Sequence, residues 1–374
     1  MKKTILSIAI GLMLIQCSPT RDVTIQWQAE TLQHVTPGVY ARIRQVHHRH
    51  ALVYDAGHAA LIRFSEDNCH SWGQPMSVAA EEGYTFTNCE LLALTSGKLL
   101  YMWNARPHRG TALPYKIMYA TSDDGGNSWS PAHDLYIADT HFANGCWEPV
   151  ALQLPDGEIQ IYFANEAPYA NSDEQEISLI RSFDDGATWS KAERVSFRQA
   201  HRDGMPSPIY LPHSKEIVLA IEDNGLHGRF KPCTVRTSQN WGDGHVSAYD
   251  TRREEALDEE CSLPDSIYAG APYLISLGKD HTLLSIQSTE GRKGHNERFA
   301  NMQVYVGDKN ARNFRHRSTP VPHLPEDAQA LWNSITLLND DTVIAVMSIY
   351  GFDNQPGGVW TIKGKICQVK GLEQ

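Results

Sequence analysis

Residues 182–189 read Ser-Phe-Asp-Asp-Gly-Ala-Thr-Trp and match the pattern S-x-D-x-G-x-T-W at every fixed position. Residues 122–129 repeat the pattern with Ser in place of Thr, and residues 65–72 and 237–241 are weaker copies. The four tryptophans, at positions 72, 129, 189 and 241, are separated by 57, 60 and 52 residues. Asp and Ser side chains can bond turn amides, Gly permits a positive φ, and Trp packs a turn against its neighbours. The octads therefore predict a structural turn that recurs about every sixty residues.

A second repeat consists of apolar segments that are broken once by a turn, and it occurs six times. The segments begin near Arg42, Glu90, Glu148, Pro206, Pro272 and Trp332. Each predicts a tight β-hairpin, with turns such as Ser96-Gly97 and Asp156-Gly157. Six units in this chain leave about sixty residues each, which suits a four-stranded propeller blade with its loops. We therefore predict an all-β fold, a six-bladed β-propeller of four-stranded antiparallel blades, in which residues 23–29 add an outer strand to the last blade.

The overall charge of the chain excludes one class of partner. The 33 basic and 44 acidic residues give a formal net charge of −11, which would repel phosphate backbones. We therefore expect no nucleic acid partner. Nothing in the sequence implies a cofactor or a catalytic metal site.

The first seventeen residues predict an export signal. Lys2 and Lys3 precede an apolar run that is too short to span a membrane as a helix. The run ends at Cys17, which resembles the acylated cysteine of a bacterial lipoprotein. We expect residues 1–17 to be the signal, residues 18–22 a tether and residues 23–374 one propeller domain. The predicted protein is a monomer of the cell envelope, either periplasmic or attached to the outer membrane by lipid on Cys17 alone.

Polar residues cluster where the predicted chain enters strand one and leaves strand two of each blade, and both points lie on the same rim. The predicted substrate-binding residues there are Arg42, Asp55, Glu90, Trp147, Glu148, Arg202, Asp203, Asn333 and Tyr350. Carboxylates provide acid and base groups, Arg and Asn bind hydroxyl groups, and Trp can cover a sugar ring. The rim therefore suits a saccharide, although strand ends are often polar without a function.

Two glutamates are the predicted catalytic pair. Glu166 and Glu222 follow the apolar runs IYFA and IVLAI, and we assign both to the same position in adjacent repeats. Their carboxyl groups would then lie about 5 Å apart, the separation of a retaining glycosidase. Glu90 and Glu148 are reserve candidates, and Glu148 could equally be a structural glutamate that bonds backbone amides.

Several short strings, taken together, resemble a known family. They are the octads, YARI at 40–43, WEP at 147–149, ANE at 164–166, RDGMPS at 202–207, IED at 221–223 and WTIKG at 360–364. The octads resemble the Asp boxes (BNR repeats) of the sialidase superfamily, and the set as a whole resembles the exo-arabinanases of glycoside hydrolase family 93. This resemblance implies an exo-acting, retaining glycoside hydrolase for terminal α-1,5-linked arabinose, with Glu166 as nucleophile and Glu222 as acid/base.

Two alternatives remain open from the sequence. An exo-α-sialidase would use Arg42, Arg236 and Arg292 or Arg298 as a carboxylate clamp, Asp55 as acid and Glu222 to activate a tyrosine. Trp332 and Asn333 stand where that tyrosine is expected, so this alternative ranks second. The other alternative is a lipoprotein propeller that binds a glycan without hydrolysing it.

Overall fold

Twenty-five strands form six antiparallel sheets among residues 22–140, 144–355 and 357–369, which are the residues that the computed structural model describes. The predicted signal segment, the acylation site Cys17 and most of the tether lie outside these residues. The helices of the described residues are three short 3-10 segments, Ala29–Thr31, Glu259–Cys261 and Glu297–Phe299. None of them is long and apolar enough to cross a membrane.

Each sheet is one blade, and the strands of blades 1 to 5 follow the chain order. The described chain begins with β1 (Val23–Trp27) and β2 (Gln33–Thr36). Blade 1 contains β3 (Val39–Val46), β4 (Arg49–Ala56), β5 (Ala59–Ser65) and β6 (Met76–Ala80). Blade 2 contains β7 (Tyr84–Ala93), β8 (Leu99–Pro107), β9 (Lys116–Ser122) and β10 (His133–Ile137). Blade 3 contains β11 (Cys146–Gln153), β12 (Ile159–Asn165), β13 (Glu176–Ser182) and β14 (Glu193–Ser196).

The second half of the chain repeats this arrangement and closes the disc. Blade 4 contains β15 (Asp203–Leu211), β16 (Glu216–Asp223), β17 (Lys231–Thr237) and β18 (Arg253–Glu255). Blade 5 contains β19 (Ala269–Leu277), β20 (His281–Ser288), β21 (Asn301–Asp308) and β22 (Arg315–Ser318). Blade 6 contains β23 (Gln329–Asn339), β24 (Thr342–Tyr350) and β25 (Gly358–Gln368), and both β1 and β2 pair with β25. The six-bladed fold and the closure of the last blade by the N-terminal strand are confirmed.

The core lies between the blades, which explains the continuous apolar runs of the sequence. All seven residues of β12 are buried, because this strand is covered by a blade on each side. Between blades 4 and 5, for example, Val218 and Ala220 form one cluster with Leu274, Leu284 and Ile286. Burial of these facing side chains holds the blades together, and the cysteines of the described residues form no disulfide bonds.

The octads form turns between the third and fourth strands, on the rim opposite the chain entries to strand one. In blade 3, Asp184 Oδ1 accepts the N–H of Thr188 at 2.8 Å and Asp184 Oδ2 accepts its hydroxyl group at 2.6 Å. These hydrogen bonds lower the pKa of Asp184. In the weakest copy, the hydroxyl group of Thr237 accepts the N–H of Trp241 at 3.2 Å, so the turn persists without the full motif. The octads are structural turns, as predicted.

Candidate active site

The first strand of every blade contains a β-bulge at which one residue adopts a left-handed backbone. These residues are Tyr40, Asn88, Glu148, Met205, Ala271 and Trp332, with φ between 47 and 60°. The strand pairing shifts register at all six positions. The Tyr40 hydroxyl of blade 1 approaches the Met205 sulfur of blade 4 to 3.9 Å, so side chains of this bulge ring meet across the axis.

The bulge N–H groups of blades 1, 5 and 6 are held by side chains from the second strand of the preceding blade. Ser348 Oγ accepts the N–H of Tyr40 at 2.9 Å, and Gln287 Oε1 accepts that of Trp332 at 2.7 Å. Glu222 Oε2 accepts the N–H of Ala271 at 2.8 Å in the same way. These acceptors each pair with the residue before a bulge, so we call this the acceptor position. A buried backbone N–H needs such a partner, and the acceptor position therefore fixes one blade against the next.

Blade 3 departs from this rule, and the departure brings a second carboxylate to the axis. Its acceptor position is occupied by Ala164, which pairs with Trp147 and has no polar side-chain atom. The N–H of Met205 in the next blade is instead accepted by Glu148 Oε2, at 2.9 Å. Glu148 thus reaches from the bulge of blade 3 to the bulge of blade 4.

Glu148 and Glu222 lie on either side of the same short segment. Glu148 bonds Met205, while Glu222 Oε1 lies 3.1 Å from the point that a Cβ would occupy at the adjacent Gly204. Both side chains are only partly exposed. Burial and the Glu222 carboxylate raise the pKa of Glu148, and burial raises the pKa of Glu222. Because two neighbouring carboxylates do not readily ionise together, the pair retains a proton at neutral pH.

Glu166 does not share the position of Glu222, and this part of the sequence interpretation is corrected. The residue equivalent to Glu222 in blade 3 is Ala164, and Glu166 lies beyond the end of β12. Its Oε1 forms an ion pair with Arg202, and its Oε2 accepts the N–H of Gly145 at 3.2 Å. Glu166 nevertheless belongs to the same cluster, since its charge contributes to the raised pKa of Glu148.

Arg202 links this cluster to the rim. Its guanidinium donates to Gln175 Oε1 at 2.6 Å and to the carbonyl of Asp173 at 3.1 Å, and 30% of the side chain is exposed. The same positive charge acts against the raised pKa of both Glu148 and Glu222. Arg202 therefore lies where a bound substrate could contact it.

Arg42 and Glu90 lie beneath the bulge ring in a closed polar layer. Arg42 is 1% exposed; it donates to the carbonyls of Ala41 and Trp332 at 3.0 Å, and the Tyr40 ring lies 4.1 Å from its guanidinium carbon. Glu90 pairs with Arg44 at 2.8 Å and is also 1% exposed. The structure thus buries both residues, Arg42 against the Tyr40 ring and Glu90 against Arg44.

Asp203 is also removed from the rim, by ion pairs. Arg253 bonds Asp203 at 2.6 Å and Asp223 at 2.7 Å, and Arg198 pairs with Asp223 at 2.9 Å. Both aspartates are fully buried, and each carboxylate is paired with an arginine of this quartet. Asp203 directly precedes Gly204, and Asp223 directly follows Glu222. The quartet therefore fixes the strand ends that hold Glu222.

The remaining predicted residues lie in blades 1, 3 and 6. Trp147 is partly exposed and packs against Tyr115, with ring centroids 4.9 Å apart. Tyr350 packs against Trp332 at 6.4 Å, and burial raises the pKa of Tyr350 to about 12. Asp55 and Asn333 are buried, and burial raises the pKa of Asp55 well above its usual range.

The arginine clamp of a sialidase is not assembled from the predicted residues. Arg236 pairs in register with Val218, near the hairpin end of blade 4 opposite Glu222, and donates to the carbonyls of Asn310 and Ala311. Arg292 donates to four backbone carbonyls, of Phe299, Leu324, Pro325 and Ala328. Arg298 lies in the 3-10 segment of blade 5. Because Arg236 lies at the end of its blade opposite Glu222, it does not form a clamp with Arg42. The number of residues in a repeat does not show at which end of a strand a side chain lies.

Two residues beside Glu222 were missed by sequence reasoning. Tyr268 directly precedes β19, and Gln287 occupies the acceptor position of blade 5. The sequence of β20, HTLLSIQS, contains several polar residues and does not single out Gln287. Among the described residues, no three His, Cys, Asp or Glu side chains come close enough together to hold a metal ion.

Comparisons with known proteins agree with this architecture. Residues 97–221 match a family described as a BNR repeat-like domain. The six-bladed propeller fold is similar to that of solved arabinofuranosidases and sialidases. No curated protein sequence matches the chain.

Three solved structures illustrate the similarity. The family 93 α-L-arabinofuranosidase of Fusarium graminearum, solved with arabinobiose, has 14% identity and a TM-score of 0.64, over 92% of this chain and 94% of that one. The Penicillium chrysogenum α-L-arabinanase, also with arabinobiose, has 14% identity and a TM-score of 0.64, over 93% and 98%. The NanB sialidase of Streptococcus pneumoniae has 11% identity and a TM-score of 0.58, over 92% and 71%. The propeller is thus similar to glycoside hydrolases of both the arabinanase and the sialidase type.

Proposed function

We propose that this propeller is a retaining glycoside hydrolase in which Glu148 and Glu222 are the catalytic pair. The observation that carries the proposal is that two partly buried carboxylates flank Gly204 and Met205 and have raised pKa values. A glycosidase of this type needs one carboxyl group protonated and the other ionised at the same pH. The second catalytic role, which sequence reasoning assigned to Glu166, passes to Glu148.

The reaction follows from the charges of the pair. The ionised carboxylate attacks the anomeric carbon and forms a glycosyl ester, while the protonated carboxyl group gives its proton to the departing glycosidic oxygen. Water then attacks the ester, loses a proton to the second carboxylate and releases the sugar, which restores both groups. Arg202, held by Glu166, is placed to bind a substrate hydroxyl group near the reacting bond.

We propose a terminal α-L-arabinofuranosyl unit of an oligosaccharide or polysaccharide as the substrate. Two similar propellers were solved with arabinobiose, which supports a neutral sugar. The buried Arg42 beneath Tyr40 supports the same choice, since its guanidinium is not open to a sialic acid carboxylate.

The test is hydrolysis of linear arabinan and of 4-nitrophenyl α-L-arabinofuranoside, with sialyllactose in parallel. Glu148→Gln and Glu222→Gln should each reduce turnover of arabinan at least a thousand-fold, while the exposed Glu82→Gln serves as control. In the presence of azide, a variant with Ala at the acid/base position should convert the nitrophenyl substrate to a glycosyl azide that retains the anomeric configuration. A variant with Ala at the nucleophile position should give the glycosyl azide of inverted configuration. Binding of arabinan without hydrolysis by the wild-type protein would support a non-catalytic glycan-binding propeller instead.

We also propose that the protein is exported and anchored as a monomer by acylation of Cys17. The support is the basic and apolar pattern of residues 1–17. Mass spectrometry of the membrane fraction should find lipid on an N-terminal Cys17. A Cys17→Ser variant that remains equally membrane-bound would contradict the anchor.

A further inference from the structure

Gln287 bridges two groups beside Glu222, and its orientation is fixed by the backbone. Its Oε1 accepts the N–H of Trp332 at 2.7 Å. A backbone N–H can only donate, so the atom facing Trp332 must be the amide oxygen. The Gln287 Nε2 therefore faces Tyr268 and donates to its phenolic oxygen at 2.8 Å. The phenolic hydrogen of Tyr268 is consequently left for another acceptor.

Glu222 Oε2 lies beside this phenol, because both groups approach Gly270. A Cβ at Gly270 would lie 2.3 Å from Glu222 Oε2 and 2.5 Å from the Tyr268 hydroxyl oxygen, so only glycine leaves room for both. The backbone of Tyr268 is fixed as well. Its N–H donates to Thr289 Oγ1 at 3.1 Å, and its carbonyl accepts the N–H of Thr289 at 3.0 Å.

We propose that Tyr268 is a positioning residue that donates a hydrogen bond to Glu222 Oε2 and thereby makes Oε1 the reactive oxygen of Glu222. This inference rests on the proposed catalytic role of Glu222. Oε2 already accepts the N–H of Ala271, so a second donor occupies it fully. Oε1, next to Gly204, is then the oxygen that takes up and releases the proton.

Besides the neutral Tyr268 phenol, three charged groups act on Glu222. Glu148 and Glu297 are carboxylates, which favour the protonated form, and Arg202 favours the ionised form. A hydrogen bond donated to the carboxylate also favours the ionised form. Loss of the phenol should therefore raise the pKa of Glu222, and a more acidic phenol should lower it.

The experiment is a carbon-13 NMR titration of protein labelled at the glutamate δ carbon, with the Glu222 signal assigned by its loss in Glu222→Gln. Tyr268→Phe should raise the pKa of Glu222 by about one unit. Substitution of 3-fluorotyrosine at position 268, which keeps the ring and strengthens the donor, should lower it. The matched control is Tyr305→Phe in the same blade, whose buried phenol donates to Gln303 Oε1 at 2.8 Å.

The two changes of opposite sign separate a hydrogen bond from a general structural effect. A Tyr268→Phe shift no larger than that of Tyr305→Phe, or an upward shift with fluorotyrosine, overturns the inference. The titration needs no substrate, so a wild-type protein that hydrolyses nothing would refute the proposed function and leave this result interpretable. If the enzyme is active, Tyr268→Phe should shift the pH profile of kcat/KM to higher pH by the same number of pH units.

Discussion

Replacement of Glu148 by Gln should stabilise the protein at neutral and alkaline pH while it removes activity. The amide keeps the size of the side chain and an oxygen that can accept the Met205 N–H. It removes a carboxylate whose pKa in the folded protein is raised by burial and by Glu222. A raised pKa means that the native state holds the proton more tightly than the unfolded chain, so this group favours folding only at low pH.

The magnitude follows from the pKa shift. Burial and the Glu222 carboxylate raise the pKa of Glu148 from 4.5 to about 8, which corresponds to about 5 kcal/mol at roughly 1.36 kcal/mol per unit. Wild-type stability should fall by this amount as the pH rises from the ordinary glutamate pKa through the raised one, and Glu148→Gln should not show this loss. For a domain of this size the gain is about 7 °C in melting temperature above pH 8.

The assay is thermal unfolding of wild type, Glu148→Gln and the exposed control Glu82→Gln across pH 4.5 to 9. The difference between wild type and Glu148→Gln should be near zero at pH 4.5 and should grow steadily to its maximum. A difference that does not depend on pH, or a Glu148→Gln protein that is less stable at pH 9, would refute the description of Glu148 as a buried carboxyl group that shares a proton with Glu222.

Three further changes test the surroundings of the pair. Arg202→Met should destabilise the fold by about 3 kcal/mol at pH 7, because it leaves Glu166 without its ion-pair partner; urea unfolding measures this, and a loss that persists at pH 4 would contradict the cause. Arg253→Met should cost about 4 kcal/mol in the same assay, since two buried aspartates would share one arginine. Ala164→Ser should offer Met205 a second acceptor and weaken its bond to Glu148; the carbon-13 titration should then show a higher Glu148 pKa, and an unchanged one would refute this.

The architecture could be predicted because it depends on regular patterns. Six apolar hairpins and recurring Asp turns specify blade number, blade size and the rim that carries polar residues, and residues 23–29 alternate as an outer strand should. These features follow from side-chain periodicity, which is independent of fine backbone geometry.

The proposed catalytic pair could not be predicted in the same way, because the bulges leave almost no trace in the sequence. Of the six residues with left-handed backbone in the bulge ring, Asn88 alone belongs to a type that favours this conformation. Each bulge places two residues opposite one, so the end of an apolar run does not mark a constant position in the blade. Glu166 and Glu222 both follow such runs, yet they differ by two positions relative to the bulge.

The charges around the axis explain why the pair holds a proton. The quartet of Asp203, Asp223, Arg198 and Arg253 is balanced, and it therefore adds structure beside Glu222 without adding net charge. Glu148, Glu166 and Glu222, by contrast, share Arg202 as the arginine within their cluster, and Glu166 is its ion-pair partner. Two partly buried carboxylates that neighbour each other, with the nearby Arg202 already paired to Glu166, do not readily both ionise at neutral pH. Because Ala164 cannot accept the Met205 N–H, Glu148 accepts it, and this hydrogen bond holds a second carboxylate near Glu222. The proton that an acid/base mechanism requires follows from that arrangement.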